Sequence, residues 1–250
     1  MLRSTSLSAM FMTPSDARIA LACLDLSSLG EDDTPAMAAA LAKRANTPYG
    51  TPSTICVYPE LLLAARMSLM REGIPQVRVA TVVNFPHASS DAERSERETR
   101  RAIAVGADEI NLLLPATGVG AQELVARIKA RCGKAGLAVI LDSPDFADPA
   151  ALDAAAEAAI TGGADFLKIP GRSGLDAFRC ISSAVAGARR PVGMAVFGVV
   201  DKLATAGAYI ALAADVLGRE RVVPARFRIG ANALLDALLP ALAAEPADED

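Results

Sequence analysis

VRVATVVNFPHASSDAERSERETRRAIAVGADEINLLLP, Val77 to Pro115, carries a strand, a helix and a second strand in one passage. Val77 to Pro86 and Glu109 to Pro115 are apolar runs rich in branched residues. Such near-continuous runs suit strands buried on both faces, as in a parallel sheet. Between them, Ser90-Asp91-Ala92-Glu93 has the form of a capping box that opens a helix, and Gly106 is expected to close it in the left-handed conformation. Charged residues crowd one face of this helix, while Ala102, Ile103 and Val105 form part of an apolar side.

The same unit recurs outward in both directions. Further β-prone runs lie at Ala20 to Asp25, Ser53 to Pro59, Leu137 to Asp142, Phe166 to Pro170, Val192 to Gly198 and Arg226 to Ala231, which makes eight in all. Their spacing of about 25 to 35 residues fits strand-plus-helix units and not hairpins. Thr34-Pro35 and Asp148-Pro149 each supply a side-chain acceptor followed by a proline at the first helical position. Eight units in uninterrupted alternation favour a closed barrel over an open doubly wound sheet. No G-x-G-x-x-G follows the first strand, and Gly118-Val119-Gly120 after the fourth is weak alone. The expectation is a single-domain α/β protein, a (β/α)₈ TIM barrel over residues 19–242, with an N-terminal extension (1–18) and a solvated acidic tail (243–250).

Composition narrows the function. The 250 residues have a formal net charge of −4, 4% aromatics and no Trp, so there is neither a basic stripe nor a base-stacking platform for nucleic acid. No apolar run reaches the roughly 18 to 20 residues of a membrane helix, and the N-terminus lacks a signal-peptide core. A soluble, cytoplasmic protein is expected. Cys23, Cys56, Cys132 and Cys180 are scattered, without a C-x-x-C pair and with His87 as the only histidine, so they read as isolated thiols and no metal is expected.

In a barrel the active site lies at the C-terminal ends of the strands. Polar residues within or just after the apolar runs are therefore the informative ones: Asp25, Asn111, Asp142, Lys168 and, on the following loop, Arg172. Lys168 in FLKIP is the sharpest. An unpaired ammonium there is costly and is relieved by a lowered pKa, which would give a nucleophilic amine for Schiff-base chemistry; the other relief is a carboxylate partner such as Asp25 or Asp142. Asn111 can orient a hydroxyl or water but cannot exchange a proton. Asp25 and Asp142 could serve as acid and base, or simply pair or cap. His87, without a fixed partner, reads as a loop-packing residue.

CLDLSSLGEDDT, TPSTICVYP, VRVATVVNFPH, ETRRAIAVGADEI, GGADFLK and RFRIGA together resemble, in order, segments of the deoxyribose-phosphate aldolases, class I aldolases built on TIM barrels. The resemblance spans about Ala20 to Leu239 and implies that Lys168 forms the imine. It also implies a small carbonyl substrate contacted by Cys56, Gly171, Arg172, Gly198, Gly230 and Asn232, no cofactor, and a homodimer.

The departures fall on the chemistry. Where the family has an aspartate in a GADEVD-like strand, this chain reads GADEIN and has Asn111. Where the family has a second lysine in a GFKPAGG-like segment, GMAVFGV has Ala195, so like-charge help in lowering the pKa of Lys168 is missing; burial against Met194, Val196 and Phe197 would replace part of it. The family's phosphate cradle is replaced by Gly198-Val199-Val200-Asp201 and Gly230-Ala231-Asn232-Ala233. Asp201 in place of an arginine would repel a phosphate by about one to a few kcal/mol. Two readings follow: a divergent imine-forming aldolase weak towards 2-deoxyribose 5-phosphate, or a catalytically silent barrel that binds a metabolite or a protein partner.

Overall fold

The computed structural model describes residues 12–115, 120–142 and 148–244. Eight parallel strands close a barrel in sequence order, β8 pairing back to β1. They are β1 (Leu24–Ser28), β2 (Thr54–Val57), β3 (Arg78–Val83), β4 (Glu109–Leu113), β5 (Gly136–Ile140), β6 (Phe166–Pro170), β7 (Gly193–Phe197) and β8 (Phe227–Gly230). The helices are α1 (Pro14–Ala22), α2 (Pro35–Ala45), α3 (Leu62–Arg71), α4 (Ala92–Val105), α5 (Ala121–Cys132), α6 (Pro149–Gly162), α7 (Gly174–Gly187), α8 (Leu203–Leu217) and α9 (Asn232–Ala243). This is the expected (β/α)₈ TIM barrel.

Three local expectations are corrected. The first run does not form a strand from Ala20, because Thr13 caps α1 by accepting from the Asp16 N–H and Pro14 follows at the first turn. Ala17, Ala20 and Leu21 bury the inner side of that helix, which packs on α8 and α9; β1 begins only at Leu24. The helix therefore runs across the residue at which the extension was divided from the barrel. Secondly, Asp91 and not Ser90 caps α4, its carboxylate accepting from the Arg94 N–H at 2.9 Å. Thirdly, Val105 lies exposed at the end of α4, past the buried Ala102. Gly106 does close α4 with φ of +97°, and Thr34 and Asp148 cap α2 and α6 as expected. The first 11 residues of the extension, Gly118, Val119 and all but the first two residues of the acidic tail lie outside the described residues.

The two-residue period of the strands sorts side chains into two layers. Leu24, Leu26, Ile55, Val57, Ile110, Leu112, Leu137, Val139, Leu167, Ile169, Met194 and Val196 pack in the large core with the helices. The alternate positions face the barrel interior, where Cys56, Ala80 and Val82 form one small cluster and Ala138, Phe166 and Ala195 another. Small residues let the helical layer close down: a Cβ on Gly162 of α6 would sit 2.7 Å from the Gln122 carbonyl oxygen of α5. The barrel interior, in contrast, is only partly apolar. It holds the buried polar groups Asp25, Glu109, Asn111, Lys168 and Arg228.

Candidate active site

Parity places Lys168 on the inner face of β6, level with Ile140 of β5 and Ala195 of β7. Its Nζ donates to Asp25 Oδ2 across the barrel at 3.0 Å, and both side chains are under 10% exposed. Asp25 is the second residue of β1 and not a strand-end residue, a consequence of the shifted start of that strand.

A second buried pair underlies the first. Arg228 Nη1 donates to both carboxylate oxygens of Glu109 at 2.9 and 2.8 Å, lies 3.9 Å from Asp25 Oδ1, and stacks its guanidinium 4.2 Å over the Phe166 ring. Arg78 reaches Glu109 from outside at 3.3 Å. The row Lys168, Asp25, Arg228, Glu109 thus alternates in sign, which is how buried charges are held at tolerable cost. Arg228 and Glu109 were not singled out from the sequence. The signal was present: RFRIGA puts a charge inside an apolar strand as FLKIP does, and Glu109 shares the parity of Asn111.

This network decides the state of Lys168. Desolvation pushes its pKa down, but the negative charges of Asp25 and Glu109 outweigh it, and the pKa is raised above the ordinary lysine value. Of the two reliefs open to a buried lysine, a lowered pKa or a carboxylate partner, the structure shows the second, with Asp25, and Lys168 is held as an ammonium. Met194 and Val196 cannot desolvate it, since they point into the helical layer; only Phe197 shares its cavity.

That cavity, about 300 Å³, opens at the C-terminal ends of the strands. Asp25, Ser27, Lys168, Asn111 and Cys56 are among its polar groups, and Leu29, Val82, Phe85, Ile140 and Phe197 form its apolar walls. Asn111 Nδ2 donates to Cys56 Sγ at 3.4 Å. Burial pushes the Cys56 thiol up to about 12, so it stays protonated. Gly198, Gly230 and Asn232 also line the cavity. A Cβ on Gly230 would lie 2.8 Å from the Phe197 Cβ, so the wall closes only over glycine.

Other expected site residues lie elsewhere. Asp142 follows β5 and is ion-paired with Arg172, not with Lys168; with the exposed His87 these two line an outer cavity that shares the walls Phe85, Ile140 and Phe197 with the cavity of Lys168. Asp142 is thus no partner of the lysine, and His87 does not pack inside its loop. Gly171 lines neither cavity; it starts a 3₁₀ turn, Gly171–Ser173, and its carbonyl accepts from the Tyr209 hydroxyl at 3.3 Å. The Asn232 side chain is committed to the fold: its Oδ1 accepts from the Ser27 N–H at 2.8 Å and its Nδ2 donates to the Ser27 carbonyl at 2.6 Å, tying α9 to β1. Asp201 lies exposed just after β7. Among the described residues no cluster of His, Cys, Asp and Glu could hold a metal, and no helix is long and apolar enough to cross a membrane.

Among solved structures, a provisionally assigned deoxyribose-phosphate aldolase of Toxoplasma gondii ME49 superposes with a TM-score of 0.85 at 22% identity, over 95% of this chain and 97% of that one. Another provisionally assigned one, from Coccidioides immitis, gives 0.74 at 20% identity, over 93% and 89%. The tetrameric deoxyribose phosphate aldolase of Aeropyrum pernix gives 0.65 at 16% identity, over 94% and 95%. At these identities the likeness speaks for the fold. The family itself is shown by a sequence model of the DeoC/LacD family aldolases, which matches residues 12–200. The chain belongs to the DeoC/LacD family of aldolases, as a divergent member.

Proposed function

We propose that this protein is a class I aldolase whose Lys168 forms a Schiff base with a small, uncharged aldehyde or ketone, and that it acts only weakly on 2-deoxyribose 5-phosphate. The observation that carries this reading is a buried lysine on the floor of an apolar-walled cavity, with a carboxylate within hydrogen-bonding distance. Lys168 passes a proton to Asp25, and the freed amine lone pair attacks the carbonyl carbon. Proton transfer from nitrogen to oxygen gives a carbinolamine; Asp25 then protonates its hydroxyl, which leaves as water, and a protonated imine remains. The regenerated Asp25 carboxylate takes a proton from the adjacent carbon, which gives an enamine. The enamine carbon adds to the carbonyl of a second aldehyde, Asp25 returns its proton to the new alkoxide, and water releases the product from Lys168. Asp25 so replaces the family aspartate and lysine that Asn111 and Ala195 have displaced. No cofactor enters these steps.

Weak use of a phosphorylated substrate follows from three features. Asp201 puts an anion after β7, Ala231 offers no side-chain donor, and the Asn232 amide is occupied by Ser27. The second reading, a silent barrel, is favoured by the raised pKa of Lys168, since an ammonium is no nucleophile. A turnover assay separates the two readings: a mixture of small aldehydes should give aldol products that Lys168→Ala does not make. Absence of product from a folded protein would support the silent barrel, and rapid cleavage of 2-deoxyribose 5-phosphate would contradict the phosphate clause. A homodimer is proposed on the family resemblance alone, and light scattering reads it directly.

A further inference from the structure

Asn111 is 1% exposed, and among the described residues its Oδ1 has no hydrogen-bond partner although it is fully buried. Its own Nδ2 is engaged by Cys56 Sγ, which fixes the amide with the carbonyl oxygen left over. Both residues line the cavity of Lys168. A buried acceptor without a donor is costly, so a group that brings a donor to it gains more than one that must compete with water. Among the described residues its neighbours offer little: Val82, level with Asn111 on β3, and Ala138, level with it on β5, are apolar, and the Cys56 thiol, a weak donor at best, is engaged as the acceptor of the Asn111 Nδ2. The Lys168 protons are drawn towards Asp25.

We propose that the site selects carbonyl substrates with a hydroxyl on the carbon next to the carbonyl, that hydroxyl donating to Asn111 Oδ1 while Lys168 holds the carbonyl carbon. The substrate class is a small neutral hydroxyketone or hydroxyaldehyde. Leu29, Phe85, Ile140 and Phe197 are apolar, and Lys168, the one cation among the described residues of this cavity, is taken up by the carbonyl carbon, so none is left there to pair with an acidic or phosphorylated tail. The inference rests on the imine reading, and adds that Asn111, which cannot relay a proton, is a specificity residue. An aspartate there would be a charged acceptor next to Asp25 and Glu109 in a site that already holds both.

The test uses the full-length protein and three ketones: hydroxyacetone, methoxyacetone and butanone. Rates of reductive trapping on Lys168 by cyanoborohydride are followed by mass spectrometry, each normalised to the rate on Nα-acetyl-lysine to remove intrinsic reactivity. Methoxyacetone keeps the inductive effect of oxygen but has no donor, and butanone matches the bulk. Hydroxyacetone is expected to be trapped about tenfold faster than either, the ratio of one hydrogen bond to a buried acceptor. Asn111→Leu is expected to erase the preference. Equal rates for hydroxyacetone and methoxyacetone in the unmodified protein would overturn the inference and leave the imine reading intact. A preference that survives Asn111→Leu would also overturn it. Trapping of no ketone and no aldehyde would overturn the imine reading and this inference with it. The comparison among ketones needs no variant, so it stands even if Asn111→Leu fails to fold.

Discussion

Lys168 on β6 and Asp25 on β1 stand three strands apart around the barrel and meet in its interior, Nζ to Oδ2, at 3.0 Å. The contact closes a row of alternating charges that continues through Arg228 to Glu109. Because Ala195 offers no competing cation on the neighbouring strand, Asp25 is free to hold Lys168 directly. Stability and chemistry are thus coupled at one pair.

Breaking that pair from one side should be costly. Asp25→Asn keeps the shape but leaves Lys168 without its buried counter-charge, and loss of one partner in such a pair costs about 3 to 5 kcal/mol. Asp142→Asn breaks the pair with the half-exposed Arg172 and should cost at most about 1 kcal/mol. Urea unfolding of the two variants in parallel reads the contrast, and similar losses would count against a buried network.

The pH dependence follows from the raised pKa of Lys168. For a lysine whose folded pKa exceeds its unfolded value, the stabilisation is fully present below the unfolded pKa, near 10.4, and is lost as pH rises through the folded one. The contribution of Lys168 to stability should therefore be constant from neutral pH to about 10 and decline only above it. Trapping should be flat over the same range, where the proton moves within the pair, and climb only when the pair loses its proton. A climb centred near neutral pH would show a lysine of lowered pKa and contradict the pairing.

Restoring the family's residues should restore its chemistry. Ala195→Lys sets a second ammonium level with Lys168, and like-charge repulsion should bring the climb in trapping to lower pH. With Asn111→Asp added, retro-aldol cleavage of 2-deoxyribose 5-phosphate is expected to rise by about 10² or more, the usual worth of a placed acid–base group. If the folded double variant gains nothing, the pocket has been remodelled beyond these two positions.

Two substitutions at the β8 end test the cavity wall. Gly230→Ala drives a methyl into Phe197 at 2.8 Å and should destabilise by about 1 to 3 kcal/mol, with slower trapping as the wall shifts. Asn232→Ala removes both hydrogen bonds to the Ser27 backbone and should cost about 1 to 3 kcal/mol. Its trapping rate per folded molecule should change little. Thermal unfolding and trapping, measured on the same samples, check both.

Much of this architecture was legible in the sequence, because apolar runs and caps are local signals. Thr34, Asp148 and Gly106 each act where their chemistry implied, and every strand after the first falls within its run except β5, which starts one residue early at Gly136. The first strand was displaced because Thr13-Pro14 is as good a helix start as Thr34-Pro35 but stands in the segment read as an extension outside the barrel. The site was legible in part. FLKIP announced a lysine that must be either neutral or paired, but only the closed barrel brings β1 against β6 and shows which carboxylate pairs with it. Asp142 had an equal claim from sequence and is held by Arg172 instead. The Asn232 amide looks like a ligand donor in one dimension and serves as a tie between α9 and β1 in three.

Whether Lys168 forms an imine is read by borohydride trapping with acetaldehyde and a panel of small aldehydes and ketones, the modified residue mapped by mass spectrometry beside Lys168→Ala. One stable reduced adduct is expected, on Lys168 and absent from the variant. A folded protein that yields no adduct with any carbonyl, or one on a different residue, would contradict the imine reading.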